Sequence, residues 1–367
     1  MLALPERSER SVCHSEWTRT VKIIQAGLGG HGRNWLTLLQ REAADSDAIE
    51  LVAVVDPSEW ARTVAQEDGM PAAQIFTSLD VAVKEVEADA VLVVTPPATH
   101  RAVATIALDA GKHVLLEKPL ATTVEDARAL ADLAAKHNLI LMVSQNYRFQ
   151  APVRTLQRLV AEGAHGKPLA IEITFMKDSR TFWPPENFRF SMDHPLLLDM
   201  SIHHLDMLRA ISGRNATSLT VASWKVPDSL YLGDVALSAI IRLDGGIPVT
   251  YRGNWASTGP QTTWNADWRI LTDKGRLNWI NWTGDPHENQ IVWQAFDGSE
   301  AIVPVDALEI TGFAGSLAAF RESVRTGTPP ETNAYDNLHS LEMLFGGVES
   351  AQTGASVTLG GNHPVGV

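Results

Sequence analysis

The chain has little cysteine: Cys13 is the only one among 367 residues. Neither an intramolecular disulfide nor a cysteine-cluster metal site can therefore form, which favours a reducing compartment and hence the cytoplasm. Long apolar runs are also missing, because no stretch approaches the roughly 18 residues of a membrane-spanning helix. Residues 1–20 carry charges throughout and lack the apolar run of about 7–15 residues that a secretory signal requires. We expect a mobile leader there and no membrane partner.

Positive charge is scarce as well. Lysine and arginine number 30 against 43 acidic residues, which gives a formal net charge of −13. Sequence-independent nucleic-acid binding depends on basic side chains that neutralise phosphates. A nucleic-acid partner is therefore not expected, and a small molecule is favoured. The apolar fraction of 45% is ordinary for a soluble globular protein and excludes wholesale disorder.

The chain changes its pattern near residue 151. Before it, from Val21, short β-branched runs alternate with helix-period segments, which indicates parallel strands joined by crossover helices. After it, predicted strands such as 235–243 and 249–255 alternate apolar with polar residues, as in antiparallel sheets, and Asp244-Gly245-Gly246 supplies a hairpin turn. The predicted fold class is α/β: a doubly wound parallel sheet followed by an α+β domain on a large, mostly antiparallel open sheet. At about 150 residues per domain, we expect domains over 21–146 and 147–367.

A glycine-rich segment follows the first predicted strand and opens a helix, which is the context that the GxGxxG fingerprint requires. Its candidate pyrophosphate-binding residues are Gly27, Gly29, Gly30, His31 and Gly32. These glycines allow a tight turn and a close approach of the backbone to a phosphate at the helix N-terminus. The alternative is a plain turn with no ligand.

Asp56 ends the second predicted strand, near the spacing of about 20 residues at which a carboxylate binds the adenine ribose hydroxyls. The first domain is therefore predicted to bind a nicotinamide dinucleotide. A carboxylate at this position repels a 2′-phosphate, and no arginine follows until Arg62. NAD is thus favoured over NADP. The alternative is that Asp56 only caps the next helix.

Lys118 and Pro119 stand at the carboxyl end of a predicted strand, where ligands of open α/β sheets bind. A lysine there can hold a substrate hydroxyl and stabilise the alkoxide that forms as hydride leaves. Pro119 would fix the chain direction, and a cis bond is one way to do so. The alternative is a surface lysine that merely follows a strand.

A predicted helix carries Asp199, His203 and Asp206 within about 60° of one another, at roughly 100° per residue. Asp199 lies one turn from His203, where it could orient the ring while His203 takes the hydroxyl proton. Alternatively, the histidine only forms a structural hydrogen bond and the aspartate caps the helix. A divalent-metal site on the same three side chains is also conceivable. It is disfavoured because no further ligand cluster accompanies them, so no metal is predicted.

Three further residues are candidates for substrate contacts. Asn146 and Arg148 follow the last strand of the parallel sheet and should face the cleft between the domains. Their alternative role is a hydrogen bond at the domain hinge. Trp183 lies in a proline-rich loop, where its indole could stack on a sugar ring.

Eight of the eleven tryptophans lie from Trp183 onward. The members that crowd into the predicted open sheet are Trp255, Trp264, Trp268, Trp279, Trp282 and Trp293. Indoles stack on sugars but also concentrate in protein interfaces. Because an uncovered sheet face must be buried somewhere, we favour the interface for most of them and expect a homo-oligomer, a dimer or tetramer.

Taken together, these motifs resemble the glucose-fructose oxidoreductase / inositol dehydrogenase / MocA family. The likeness extends over nearly the whole chain from about Val21. It is carried by GLGGHG at 27–32, Asp56, TPPATH at 95–100, EKP at 117–119 and DMSIHHLD at 199–206. The resemblance implies an NAD(P)-binding Rossmann domain and a C-terminal α+β domain. It also implies hydride transfer between NAD(P) and a hydroxyl-bearing carbon of a sugar, a cyclic polyol such as inositol, or a sugar derivative.

By motif position, the resemblance implies that Lys118, Asp199 and His203 form the catalytic group. It also implies that Thr95, Pro96, His100 and Glu117 line the cofactor cleft together with Lys118. The chain departs from many relatives before the helical aspartate, where residues 194–198 replace a glycine-rich segment, and at Ser201, where a glycine is common. These departures concern specificity rather than reaction type. A dinucleotide-binding sensor without turnover is the second hypothesis, because fold does not fix function.

Overall fold

The computed structural model describes residues 20–180 and 182–360. Of the expected leader at 1–20, all but Thr20 lies outside the described residues. The first sheet consists of β1 (Val21–Ala26), β2 (Ile49–Val55), β3 (Ile75–Phe76), β4 (Ala90–Val93), β5 (His113–Glu117) and β6 (Leu141–Ser144). Its helices are α1 (Gly30–Asp45), α2 (Glu59–Glu67), α3 (Leu79–Glu85), α4 (His100–Asp109) and α5 (Val124–Lys136).

The strands of this sheet are parallel and run in the order β3-β2-β1-β4-β5-β6. They are buried on both faces: Ile24 and Val91 belong to one core, and Ile23 and Leu92 to the other. The order reverses between β1 and β4, which opens a crevice at the carboxyl ends of the strands. The predicted doubly wound sheet is confirmed. The two-residue β3 was not predicted, since so short a run has no period.

The second sheet begins with β7 (Pro168–Met176), β8 (Ala216–Trp224), β9 (Ala236–Leu243), β10 (Pro248–Asn254) and β11 (Asp267–Thr272). It continues with β12 (Gly275–Ile280), β13 (Gln290–Ala295), β14 (Glu300–Val303) and β15 (Val357–Thr358). The order is β14-β13-β12-β11-β7-β10-β9-β8-β15, and only the β7–β10 pair among these described strands is parallel. Gly245 and Gly246 have positive φ in the turn between β9 and β10, which confirms the predicted hairpin.

The remaining helices are α6 (Ala151–Glu162), α7 (Ile202–Ser212), α8 (Gly312–Thr326) and α9 (Ala334–Thr353). One face of the large sheet is covered, and α9 packs on β8. The strands alternate accordingly: in β9, Ala239 and Ile241 are buried, whereas Ile240 between them is 59% exposed. The sheet therefore has one open face, as the alternating sequence predicted.

The tryptophans occupy a different place from the one expected. Trp255, Trp268 and Trp279 are buried within the single chain, and the rings of Trp268 and Trp279 stack with centroids 6.4 Å apart. The interface expectation is wrong for these three, because β11 and β12 turn Trp268 and Trp279 toward the inner face of the sheet and Trp255, directly after β10, is buried as well. The open face exposes Trp224 and Ile240 instead.

Candidate active site

The glycine-rich turn joins β1 to α1 beside the crevice. Gly27 has a φ of 101°, and a Cβ on it would lie 2.4 Å from the carbonyl oxygen of Val94, just after β4. A Cβ on Gly32 would lie 2.3 Å from the carbonyl oxygen of Gly27. Only glycine fits at both positions. In contrast, a Cβ on Gly29 or Gly30 would meet no described atom within 4 Å, so the backbone there faces open space.

The N-terminus of α1 borders that open space. The helix begins at Gly30, and no described side chain caps its first turn. The free N–H groups and the positive end of the helix dipole thus remain available to an anion. Such a terminus is a ready site for a pyrophosphate. The exposed His31 follows directly, with its Nε2 3.3 Å from Oε1 of Glu117.

Asp56 is held at the edge of the same turn. Its Oδ2 accepts a hydrogen bond from the backbone N–H of Leu28, and its Oδ1 accepts one from that of Ser58, both at 2.8 Å. Each carboxylate oxygen keeps a lone pair for a ribose hydroxyl. Nη1 of Arg62 donates to the carbonyl oxygens of Asp56 and Pro57, which places a cation beside this position. The glycine-rich turn, the N-terminus of α1 and the Asp56 carboxylate together form a site that fits a dinucleotide.

The loop after β4 closes the other side of the crevice. His100 is buried, and its two ring nitrogens lie 2.8 Å from the carbonyl oxygen of Thr95 and 2.7 Å from that of Pro119. Burial lowers the pKa of His100, so the ring is neutral and donates to one of the two oxygens at a time. His100 thereby ties the loop at Thr95 and the exposed Pro96 to the Lys118–Pro119 bond, which is cis.

Glu117 is a buried carboxylate at the end of β5. Its Oε1 accepts a hydrogen bond from Nε1 of Trp35 on α1 at 2.8 Å, and its Oε2 accepts one from the backbone N–H of Lys118 at 3.2 Å. These bonds direct the carboxylate toward α1. Glu117 therefore joins the end of β5 to the helix that follows the glycine-rich turn.

Lys118 and Asp199 meet, although 81 positions separate them in the sequence. Nζ of Lys118 donates to Oδ1 and to the backbone oxygen of Asp199, both at 2.8 Å. Nε of Arg189 donates to the other carboxylate oxygen, Oδ2, at 2.6 Å. Burial alone would raise the pKa of Asp199, but the charges of Lys118 and Arg189 outweigh it and lower that pKa. Asp199 is therefore ionised at neutral pH.

His203 lies on α7, and its ring stacks on Tyr147 with centroids 4.3 Å apart and planes 26° from parallel. Burial lowers the pKa of His203 far below its ordinary value, and the charge of Lys118 lowers it further. The imidazole is therefore neutral. No hydrogen bond joins it to Asp199, whose oxygens are bound by Lys118 and Arg189. The expectation that Asp199 orients the ring through a hydrogen bond is thus wrong, and the ring packs against Tyr147 instead.

The helix geometry explains the difference. Asp199 lies in a π-helical segment, Leu196–Ser201, and the α-helix begins only at Ile202. The rule of 100° per residue therefore does not hold between Asp199 and His203. Asp206, expected on the same polar edge, is instead fully buried and bonded to Arg148.

Arg148 is committed to this internal network. Its guanidinium donates to both oxygens of Asp206, at 2.6 and 2.7 Å, and to Asp336 on α9 at 2.8 Å. Asp336 also accepts a 2.6 Å hydrogen bond from Arg209 of α7. This placement favours the alternative, a hydrogen-bonding role at the domain junction, over the expected substrate contact. Asn146, in the same short turn, is buried as well.

Two family models match this chain. Residues 21–145 match one described as an oxidoreductase family with an NAD-binding Rossmann fold, and residues 153–278 match the GFO/IDH/MocA C-terminal domain. The chain belongs to the GFO/IDH/MocA family of oxidoreductases. The family resemblance expected from the sequence motifs is confirmed.

Relatives of this GFO/IDH/MocA protein align along most of its length. It is 29% identical over 362 residues to an uncharacterized protein of Sinorhizobium fredii, covering 92% of this chain and 95% of the relative. It is 27% identical over 367 residues to D-apiose dehydrogenase from Paraburkholderia graminis, covering 94% and 92%. A crystal structure of an oxidoreductase from Agrobacterium radiobacter, in complex with NAD+, L-tartaric acid and magnesium, matches with a TM-score of 0.81 at 19% identity, covering 93% and 98%. The match to this crystal structure shows that the two proteins share a fold.

Two residues that were not predicted from the sequence contact the candidate catalytic group of this GFO/IDH/MocA protein: Tyr147 contacts His203, and Arg189 contacts Asp199. Tyr147 stands between two residues that were considered, and its aromatic ring was the available signal. Arg189 lies in a single 3-10 turn, Phe188–Ser191, which is too short to show a period, and no sequence pattern pointed to it. Trp183, which was expected near the substrate, is half-buried with the Arg189 guanidinium 4.4 Å from its ring centroid.

Within 20–180 and 182–360, no group of three or more His, Cys, Asp or Glu side chains could hold a metal ion. In particular, Asp199, His203 and Asp206 do not form such a group. In this part of the chain, no helix has both the length and the apolar character to span a bilayer.

Proposed function

We propose that this GFO/IDH/MocA oxidoreductase transfers a hydride between a nicotinamide dinucleotide and a hydroxyl-bearing carbon of a sugar, cyclic polyol or sugar derivative. The observation that carries the proposal is the contact of Lys118, at the carboxyl end of β5, with Asp199, four residues before His203. This cluster lies at the sheet edge that also bears the dinucleotide turn. The name of a relative, D-apiose dehydrogenase, supports a carbohydrate substrate.

The dinucleotide, when bound, supplies the hydride acceptor or donor. Gly29, Gly30, His31 and Gly32 would hold its pyrophosphate through backbone N–H groups at the start of α1. Gly27, whose own N–H donates to the carbonyl oxygen of Val55, would shape the turn that leads to this site. Asp56 would accept hydrogen bonds from the ribose, while Thr95, Pro96, His100 and Glu117 would shape the cleft toward Lys118. The open space before Gly29 and Gly30 supports this assignment.

Lys118 would bind the substrate oxygen. An ammonium group has three N–H donors, and the two acceptors on Asp199 leave one for a substrate hydroxyl. As hydride leaves the carbon, that oxygen gains negative charge, which the fixed ammonium stabilises.

His203 would act as the general base. Its low pKa keeps the imidazole neutral and able to accept the hydroxyl proton during oxidation. In the reverse direction the imidazolium returns that proton to the carbonyl oxygen. The ionised Asp199 nearby raises the pKa of His203 and so stabilises the cation when it forms.

We propose NAD rather than NADP as the preferred cofactor, because the Asp56 carboxylate would repel a 2′-phosphate. The cation of Arg62 would favour NADP, but its Nη1 already donates to two backbone carbonyl oxygens. The proposed domain division is 21–146 for the dinucleotide and 147–367 for substrate binding and assembly. The single cysteine supports a cytoplasmic location.

The test is a turnover screen paired with a binding measurement. The protein is incubated with NAD and, separately, NADP against inositols, aldoses and sugar acids, and NADH or NADPH absorbance is followed. Dinucleotide binding is measured by calorimetry on the same preparation. We expect turnover with at least one compound, faster with NAD. Tight dinucleotide binding without turnover on any compound would instead support the sensor hypothesis.

A further inference from the structure

We propose that the substrate carries a carboxylate group and that Arg189 binds it. The inference rests on the proposed function, because it names the substrate class of the same site. Lys118 and Arg189 share the single carboxylate of Asp199, and His203 is neutral. The nearby Glu117 carboxylate is directed toward Trp35 on α1. The substrate side of the cluster therefore has one cation more than it has anions.

The guanidinium of Arg189 has a fixed orientation with donors to spare. Two aromatic rings flank it, with its central carbon 4.4 Å from the centroid of Trp183 and 4.6 Å from that of Phe188. Its Nε is taken by Asp199, and Nη1 lies 3.5 Å from Oδ1 of Asn187, at the limit of a hydrogen bond. Nη2 donates to none of the described residues. A planar fork held in this way matches the geometry of a carboxylate.

The Arg189 side chain is 21% exposed, so an incoming anion can reach it at a largely desolvated position. There a charge-assisted hydrogen bond is stronger than at an open surface. Lys118 and Arg189 bind opposite oxygens of one carboxylate, so a single small molecule can contact both. The reacting hydroxyl would lie at Lys118 and the acid group at Arg189.

The neighbouring surface suits the rest of such a molecule. Trp183 is half-buried, contacts Trp255 edge to face at 6.5 Å and has the Arg189 guanidinium over its ring. Its exposed part adds aromatic surface beside Arg189, against which a sugar ring can pack. Further along, Nζ of Lys177 lies 5.5 Å from the Trp264 ring centroid and pairs with no carboxylate among the described residues. Lys177 thus adds to the positive potential at the same aromatic surface.

The test compares matched neutral and acidic sugars, namely D-glucose with D-glucuronate and D-galactose with D-galacturonate. Binding to the NAD-loaded protein is measured by calorimetry, and kcat/KM is measured by NADH absorbance. We expect the acid of a pair to bind about tenfold or more tightly, because a hydrogen bond between charged groups is stronger than one to a neutral acceptor. The wild-type preference should weaken as salt is raised.

Arg189→Gln should remove this preference, and Arg189→Lys should retain part of it, since lysine keeps the charge but not the planar fork. The matched control is Arg180→Gln. Arg180 lies in the same segment, but its guanidinium is already paired with Asp178 through two 2.7 Å hydrogen bonds. The control should keep the wild-type acid preference.

The outcomes separate the two proposals. An acid preference that depends on Arg189 but occurs without turnover would support the carboxylate site and count against the proposed reaction. Turnover of neutral sugars without any acid preference would overturn the carboxylate site and leave the reaction standing. If Arg189→Gln lowered the affinity and kcat/KM for the acidic and the neutral sugar equally, the carboxylate site would be overturned too, because Arg189 would then only position Asp199.

Discussion

At the scale of single residues, the candidate site depends on how hydrogen-bond acceptors are shared. Asp199 presents three oxygens, of which Lys118 binds two and Arg189 the third. This sharing fixes the ammonium and leaves it one free N–H donor. It also takes the carboxylate away from His203, whose ring is held by Tyr147 instead. Lys118 is consequently the side chain whose loss should affect the chemical step most directly.

Lys118→Ala should leave the affinity for NAD within a few-fold of wild type and lower kcat by about a hundredfold or more, as loss of one preorganised donor does. Stopped-flow and steady-state absorbance measure kcat, and calorimetry measures NAD affinity. Lys84→Ala, at an exposed position on α3, is the control and should change neither. Near-normal turnover in Lys118→Ala would refute the proposed role.

At the scale of elements, α7 is a helix buried on every side, and its polar residues have internal partners. Nδ1 of His204 lies 3.0 Å from the Tyr251 hydroxyl, and Nε2 lies 3.0 Å from the carbonyl oxygen of Trp264. On the opposite side, Asp206 binds Arg148 of the turn that follows β6. These contacts hold α7 against both sheets. The neutral His204 ring and the Arg148–Asp206 ion pair should therefore both affect the stability of the fold.

The first concerns acid sensitivity. Burial lowers the pKa of His204 to about 4, from roughly 6.5 for an ordinary histidine. The folded state keeps the ring neutral, while the unfolded chain takes up a proton as the pH falls below about 6.5. The contribution of His204 to the free energy of unfolding is therefore fully present above about pH 6.5 and is lost as the pH falls toward 4. At pH 5 the free energy of unfolding is lower by roughly 2 kcal/mol.

Urea unfolding between pH 8 and pH 5 measures this slope. His204→Gln should make the slope shallower and leave the part that His100 and His203 cause, because burial lowers the pKa of those two rings as well. His287→Gln, at an exposed histidine, should leave the slope as in wild type. An unchanged slope in His204→Gln would show that other groups cause the acid sensitivity.

The second concerns the buried ion pair. Arg148→Met leaves Asp206 buried without its bidentate partner, and we expect the free energy of unfolding to fall by about 3–5 kcal/mol. Arg158→Met removes an exposed pair with Asp306 and should cost much less. Urea denaturation compares the two variants. Similar losses in both would contradict the structural role given to Arg148.

At the scale of the whole molecule, the large sheet has one covered and one open face. The covered face holds Trp268 and Trp279 in the core of the chain. The open face carries large apolar side chains, among them Trp224, 44% exposed, and Ile240, 59% exposed. Exposed apolar residues on one sheet face mark a surface for association. Assembly through this face stays a prediction.

Ile240→Glu should shift the protein from dimer or tetramer toward monomer, because a carboxylate buried between two sheets has no partner there. Light scattering after size exclusion measures the mass. Trp60→Glu, at an indole 70% exposed on α2, is the control and should leave the mass unchanged. A wild-type monomer, or an Ile240→Glu variant of unaltered mass, would rule this interface out.

The sequence alone determined the features that depend on local order. The alternation of strands and helices from Val21, the turn at Gly27 and the hairpin at Gly245 follow from residue periods and backbone sterics, which act over a few positions. Lys118 and Pro119 are adjacent, and Asp199 and His203 are four positions apart, so these two motifs are also local features of the sequence. The catalytic roles of these residues remain predictions.

Tertiary structure decided which long-range partner each polar or aromatic group has. Arg148 binds Asp206, Trp268 faces inward rather than a partner subunit, and Arg189 joins Asp199 from a short 3-10 turn. A sequence pattern identifies the face of an element that is polar or apolar, but the group that meets that face comes from a distant part of the chain. The energies that select it, burial of charge and of aromatic surface, exist only once those parts have packed together.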